Sequence, residues 1–65
     1  MPRKIYMRFL DESGQQIAIG LDYYVPNLGE LIKFDKGSKD FRVKKRHWFL
    51  DAGTFTSVEI TCEPG

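Results

Sequence analysis

The stretch FRVKKRHWFLD, Phe41 to Asp51, packs Lys44, Lys45, Arg46 and His47 directly ahead of Trp48, and it can be read in two registers. In a regular β-strand side chains alternate between faces, so Phe41, Val43, Lys45, His47 and Phe49 share one side. Arg42, Lys44, Arg46, Trp48 and Leu50 share the other. On that register the first set opens and closes apolar and turns inward, leaving three cations in a row that end in an indole. Such a stripe suits single-stranded nucleic acid, with phosphates along the bases and a nucleobase on the ring. A β-bulge near Lys45–Arg46 produces the other register. One extra residue flips the phase, so that Trp48 and Leu50 point inward and Phe49 outward. The basic residues then form a solvated bend that discourages edge pairing. A small core can ill spare a tryptophan, which favours the bulge.

Outward from this strand, alternation continues and helical periodicity is nearly absent. Ile5, Met7 and Phe9 share a face in RKIYMRFL, and DESGQ follows as a polar turn with Gly14 free to take positive φ. QIAIGLDYYV then sets Ile17, Ile19, Leu21, Tyr23 and Val25 on one face, so the two runs read as a β-hairpin. Pro26 and Gly29 in VPNLGE mark a loop. ELIKFD is a short strand with Ile32 and Phe34 on the same side, and DKGSKD a second hairpin loop. After the long fourth strand, AGT is a tight turn, and FTSVEITC a fifth strand with Val58, Ile60 and Cys62 together. The expected fold is all-β, a five-stranded antiparallel small barrel closed on itself, SH3-like, with an OB-like barrel as the alternative. The expected inward set is Ile5, Met7, Phe9, Ile17, Ile19, Leu21, Ile32, Phe34, Val43, Val58 and Ile60.

With 65 residues, the chain has room for a single domain over 1–65. A core of this size rarely supplies more than roughly 3–5 kcal/mol, and association often supplements it. Cys62 is the only cysteine, which rules out an internal disulfide. MPRKIYMRFLDESG has no apolar run long enough for a signal peptide or a membrane span, so a cytoplasmic, membrane-free setting is expected. Net charge is +1 but uneven: residues 33–48 carry +5 and the remainder −4. That asymmetry is the main hint of a partner.

Catalytic machinery is not visible. His47 and Cys62 are too few for a structural zinc site. The expected hairpin through Ala52–Gly53 puts His47 opposite residues 57–59, which leaves Cys62 roughly 10–17 Å further along. The acids Asp11, Glu12, Asp35, Asp40, Glu59 and Glu63 sit mainly in or near turns, and no phosphate-binding glycine loop occurs. The expectation is a chain with no catalytic residue, no metal and no cofactor.

VPNLGELIKF, then FRVKKRHWFLD, then SVEITCEP, over residues 25–63, resembles the pattern of short bacterial and phage open reading frames of SH3-like type. The resemblance implies the fold and carries no catalytic residue across. The combined reading is a non-enzymatic binding module acting through protein–protein contact. Tyr6 and Tyr24 are exposed aromatics of the kind enriched at interfaces. The alternative is a single-stranded nucleic-acid binder using Arg42, Lys44, Arg46 and Trp48. A third reading is a small-molecule-binding or catalytic homo-oligomer with an interface site. Small size and outward aromatics also point to a homodimer.

Overall fold

The first strand, β1 (Ile5–Leu10), separates inside from outside for the whole molecule: Met7 and Phe9 are buried while Tyr6 between them is exposed. The computed structural model describes residues 3–37 and 39–65, and these form no helix. Four more strands follow: β2 (Gln16–Asp22), β3 (Leu31–Ile32), β4 (Phe41–Asp51) and β5 (Thr54–Pro64). They make one five-stranded sheet in the order β2-β1-β5-β4-β3. The alternating runs dictated these elements, but their arrangement departs from a closed antiparallel barrel. β1 and β5 run parallel, and the sheet curls only into a half-barrel with β2 and β3 at its ends. β3 is only two residues long because Phe34 leaves the expected strand ELIKFD and swings over the concave face. There its ring meets Phe9 at 5.0 Å and Phe41 at 5.4 Å.

The core lies on the concave side. Met7, Phe9, Val43, Val58, Ile60 and Cys62 are buried, with Ile5, Ile17, Val25, Ile32, Phe34, Phe41 and Trp48 packed around them. Cys62 is among the fully buried side chains, and burial pushes its thiol pKa above the ordinary range. The connection between β2 and β3 closes over this side. Gly29 N–H donates to the Val43 carbonyl (2.8 Å), and Val43 N–H donates to the Glu30 carbonyl (2.9 Å). The expected second loop, DKGSKD, contains Ser38, which lies outside the described residues.

Ile19 and Leu21 are not in this core. A register shift between Phe9 and Leu10 leaves Ile17 as an extra residue, so Ala18 faces Phe9 and Gly20 faces Met7 on the concave side. Ile19 and Leu21 therefore point away from the core, 57% and 60% exposed. Tyr23 and Tyr24 are both exposed because β2 stops at Asp22, before any alternation could bury one of them.

In the β1–β2 turn the Asp11 carboxylate accepts bonds from the Ser13 hydroxyl (2.6 Å), Ser13 N–H (2.9 Å) and Gln15 N–H (3.0 Å). The Ser13 hydroxyl foremost, then Gln15 N–H, holds its pKa below the usual 3.8. A carboxylate whose folded pKa lies below its unfolded one stabilises the fold above the unfolded value, and that contribution is lost as pH falls through the folded value. Asp11→Ala is therefore expected to lower the melting temperature at pH 7, with the difference from the parent shrinking as melts are repeated below pH 3.8. A pH-independent difference would mean that the carboxylate charge is not what the turn uses.

The β4–β5 turn is the two-residue loop Ala52–Gly53, closed by the Asp51–Thr54 pair, with φ of 50° and 79°. Two consecutive positive-φ residues mark a type I′ hairpin, where Asn-Gly is preferred. Left-handed backbone costs an alanine roughly 1–2 kcal/mol. Ala52→Gly should remove that strain, although glycine's extra unfolded-state freedom takes part of it back. A rise of up to about 1 kcal/mol in urea unfolding is the expected result.

Candidate protein-interaction face

The side of the sheet away from the core carries the candidate site, and backbone register alone assembles it. Tyr6 pairs with Leu21 on β2 and with Ser57 on β5, and Ser57 pairs with Phe49 on β4. Leu21, Tyr6, Ser57 and Phe49 thus form one row across four strands, roughly 14 Å long at about 4.8 Å per strand. The next row runs Ile19, Arg8, Glu59, His47, and a third runs Gln16, Leu10, Thr61, Lys45. Residues opposite one another share a face, so these rows are one continuous convex surface.

Its ends are apolar and its middle is polar. Arg8 Nη1 pairs with Glu59 Oε2 at 2.7 Å, and Arg8 Nε donates to Gln16 Oε1 at 3.1 Å. Phe49 is 40% exposed and Tyr6 41%. The imidazole of His47 stacks on Phe49, with centroids 4.9 Å apart. Because Ser57 is small, the surface dips between the two rings. The dip is a cavity of about 230 Å³ bounded by Tyr6, Phe49, Ser57, Arg8 and Glu59. Both walls are aromatic, and one end is an ion pair.

The basic strand is organised differently. The register shift between Val43 and Lys45 leaves Lys44 as the extra residue, so the bulge sits just before Lys45–Arg46. Beyond it Arg46 faces Ile60 and Trp48 faces Val58, both on the concave side. Trp48 is half-buried, its ring edge-on to Phe55 at 5.3 Å. Phe49 turns outward as the bulged register requires. Leu50 does not join the core: it pairs with Phe55 near the hairpin tip and stays 60% exposed.

Arg42, Lys44, Arg46 and Trp48 are consequently not brought onto one face. Each cation also has a partner within the chain. Arg42 Nη1 donates to the Gly29 carbonyl (2.9 Å). Arg46 Nη1 lies 3.4 Å from the Pro26 carbonyl. Lys44 Nζ is 3.0 Å from Glu12 and 4.0 Å from Glu63. The hydrogen bond to Glu12, then the two carboxylate charges, raises the Lys44 pKa. Tyr24 lies away from the convex rows, its hydroxyl donating to the Glu30 carboxylate (2.6 Å to Oε2), which raises its pKa. Of the six expected binding residues, Tyr6 alone stands in the three convex rows; Arg42, opposite Glu63, is on the same side of the sheet but beyond the bulge. The residues missed are Phe49, Ser57, Arg8 and Glu59, which frame the dip with Tyr6, and Ile19 and Leu21, assigned to the core because their alternation is apolar.

His47 and Cys62 fall on opposite faces, since His47 pairs with Glu59 on the convex side and Cys62 with Val43 in the core. Among the described residues, no three His, Cys, Asp or Glu side chains gather as a metal-holding group, and no helix is long and apolar enough to cross a membrane. Compared with known proteins, the chain matches no family model, no curated protein and no solved structure.

Proposed function

We propose that this chain is a small non-enzymatic binding module whose convex sheet face takes a protein partner. The observation that carries the reading is the dip between Tyr6 and Phe49. Two exposed aromatic rings flank a serine on the convex, four-strand face, outside the core. Aromatic residues in such positions are the usual anchors of protein interfaces. Lys45 and His47 stand on the same face beyond Phe49, so the favoured partner segment inserts one apolar side chain and carries acidic neighbours. The SH3-like likeness of residues 25–63 rests on the sequence pattern alone and does not bear on the choice of partner.

The test is a pair of variants, Tyr6→Ala and Phe49→Ala, compared with the parent for binding to a partner captured by the parent protein and then purified. Both rings are outside the core, so circular dichroism should be unchanged. Each variant is expected to weaken binding at least tenfold, about 1.4 kcal/mol. Undiminished binding by the double variant would refute the assignment of the face. Tight binding of single-stranded oligonucleotides with a steep salt dependence would instead select the nucleic-acid reading.

A further inference from the structure

The two ends of the sheet are unequal, and the inequality points to an occupant. At one end β3 pairs for only two residues, and Lys33, Lys36, Lys39 and Arg42 crowd the sequence around it. Short length and lysines are standard protection against edge pairing. At the other end β2 pairs with β1 on one side and, among the described residues, with no strand on the other for seven residues, QIAIGLD. This edge contains no proline and no charge before Asp22. A long, uncharged edge left open is a template for another strand.

We infer that two copies of this chain join antiparallel through their β2 edges, making a continuous ten-stranded sheet. Charge singles out a second copy as the occupant. A β2–β2 contact brings together no like-charged side chains between Gln16 and Leu21, whereas β3 offers a copy of itself only two residues to pair with. Parity then restricts the register. The convex sides of both copies coincide only if the two-fold axis falls on a residue, because opposed residues must share a face. An axis at Gly20 sets Ile19 of each copy against Leu21 of the other, so the two exposed large apolar side chains of the strand cover each other twice. Ala18 and Gly20 on the concave side are small and offer no obstruction. The guarded β3 end stops growth at two copies.

A stable interface usually covers about 800 Å² per partner, roughly one sixth of this chain's 4704 Å² surface. One strand and its neighbours do not reach far beyond that, so a dissociation constant in the micromolar range is expected. The Tyr6–Phe49 dip lies inward of β2, so the dimer would present two such dips and is independent of whether either is used.

Sedimentation equilibrium from about 1 μM to 1 mM tests the inference. The parent should show a reversible monomer–dimer equilibrium with no larger species. Ile19→Lys, at an exposed position away from the core, should keep the β-sheet spectrum and weaken the dimer at least tenfold. Adding Leu21→Glu to Ile19→Lys should restore much of the affinity, since the introduced lysine of one copy would face the introduced glutamate of the other. A monomeric parent at about 1 mM, or an Ile19→Lys protein that dimerises like the parent, would overturn the inference. Failure of the double variant to recover would overturn the Gly20 axis. Phe49→Ala should leave the dimer untouched, which keeps this result separate from the fate of the proposed partner face.

Discussion

Phe9→Ala is expected to leave most of the chain unfolded at room temperature. Phe9 is only 7% exposed, and its ring meets Phe34 edge-on at 5.0 Å. Losing a buried phenylalanine costs about 3–5 kcal/mol through lost transfer energy and the cavity left behind. A core of this size supplies roughly the same amount in total. The effect should exceed a simple area estimate because Phe34 belongs to a covering segment, not to a strand. Without the Phe9 ring, Phe34 has less to hold it over the concave face, and the segment Val25–Ile32 loosens with it. Urea unfolding followed by circular dichroism reads this directly. The matched control is Ile19→Ala, assayed at low micromolar concentration. Its side chain points away from the core, so its cost should stay below about 1 kcal/mol, the usual range for an exposed position. If Ile19→Ala destabilised the fold as much as Phe9→Ala, the face assignment of β2 would be wrong.

Trp48→Ala should produce the second large effect, a loss of about 2–3 kcal/mol. The figure lies below the full value for a buried tryptophan because the ring is half-exposed and packs against Phe55, which is itself 54% exposed. Phe55→Ala should cost less, since that ring covers the indole without entering the core. The same variant separates two roles for the basic strand. A ring that anchors the concave side changes stability and leaves any affinity for single-stranded oligonucleotides where it was. A ring that serves as a stacking platform would do the reverse, with affinity falling by about 1–3 kcal/mol per base and the unfolding midpoint unmoved. The pairing of Trp48 with Val58 places the indole on the core side, so the first pattern is expected.

Local rules carried much of this molecule. Alternation in Ile5–Phe9 and in Ser57–Cys62 names the buried faces of β1 and β5, because every second residue there is apolar while its neighbours are polar or tyrosine. Gly14, Gly29 and the Ala52–Gly53 pair sit at positive φ in turns that their residue types announce. The need of a small core for its tryptophan anticipated the bulge in β4, displaced by one residue.

What only the tertiary structure decided is phase, direction and closure. Ile17, Ile19 and Leu21 alternate as cleanly as Met7 and Phe9, yet a single extra residue opposite Phe9–Leu10 turns Ile19 and Leu21 outward. No local preference marks that bulge, because it arises from fitting the five-residue Asp11–Gln15 turn to the pairing of two strands. The parallel β1–β5 contact is likewise a long-range choice between segments some fifty residues apart, as in Tyr6 with Ser57. Alternation is the same whichever way a neighbour runs, so it says which side of a strand is buried and nothing about direction. Closure is a long-range matter too: Phe34 lies over the concave face, where its ring meets Phe9 and Phe41, and β3 stops at two residues. That arrangement leaves the barrel half open. It also leaves one edge of β2 open, and the extra residue in that hairpin sets Ile19 and Leu21 on the convex side beside it.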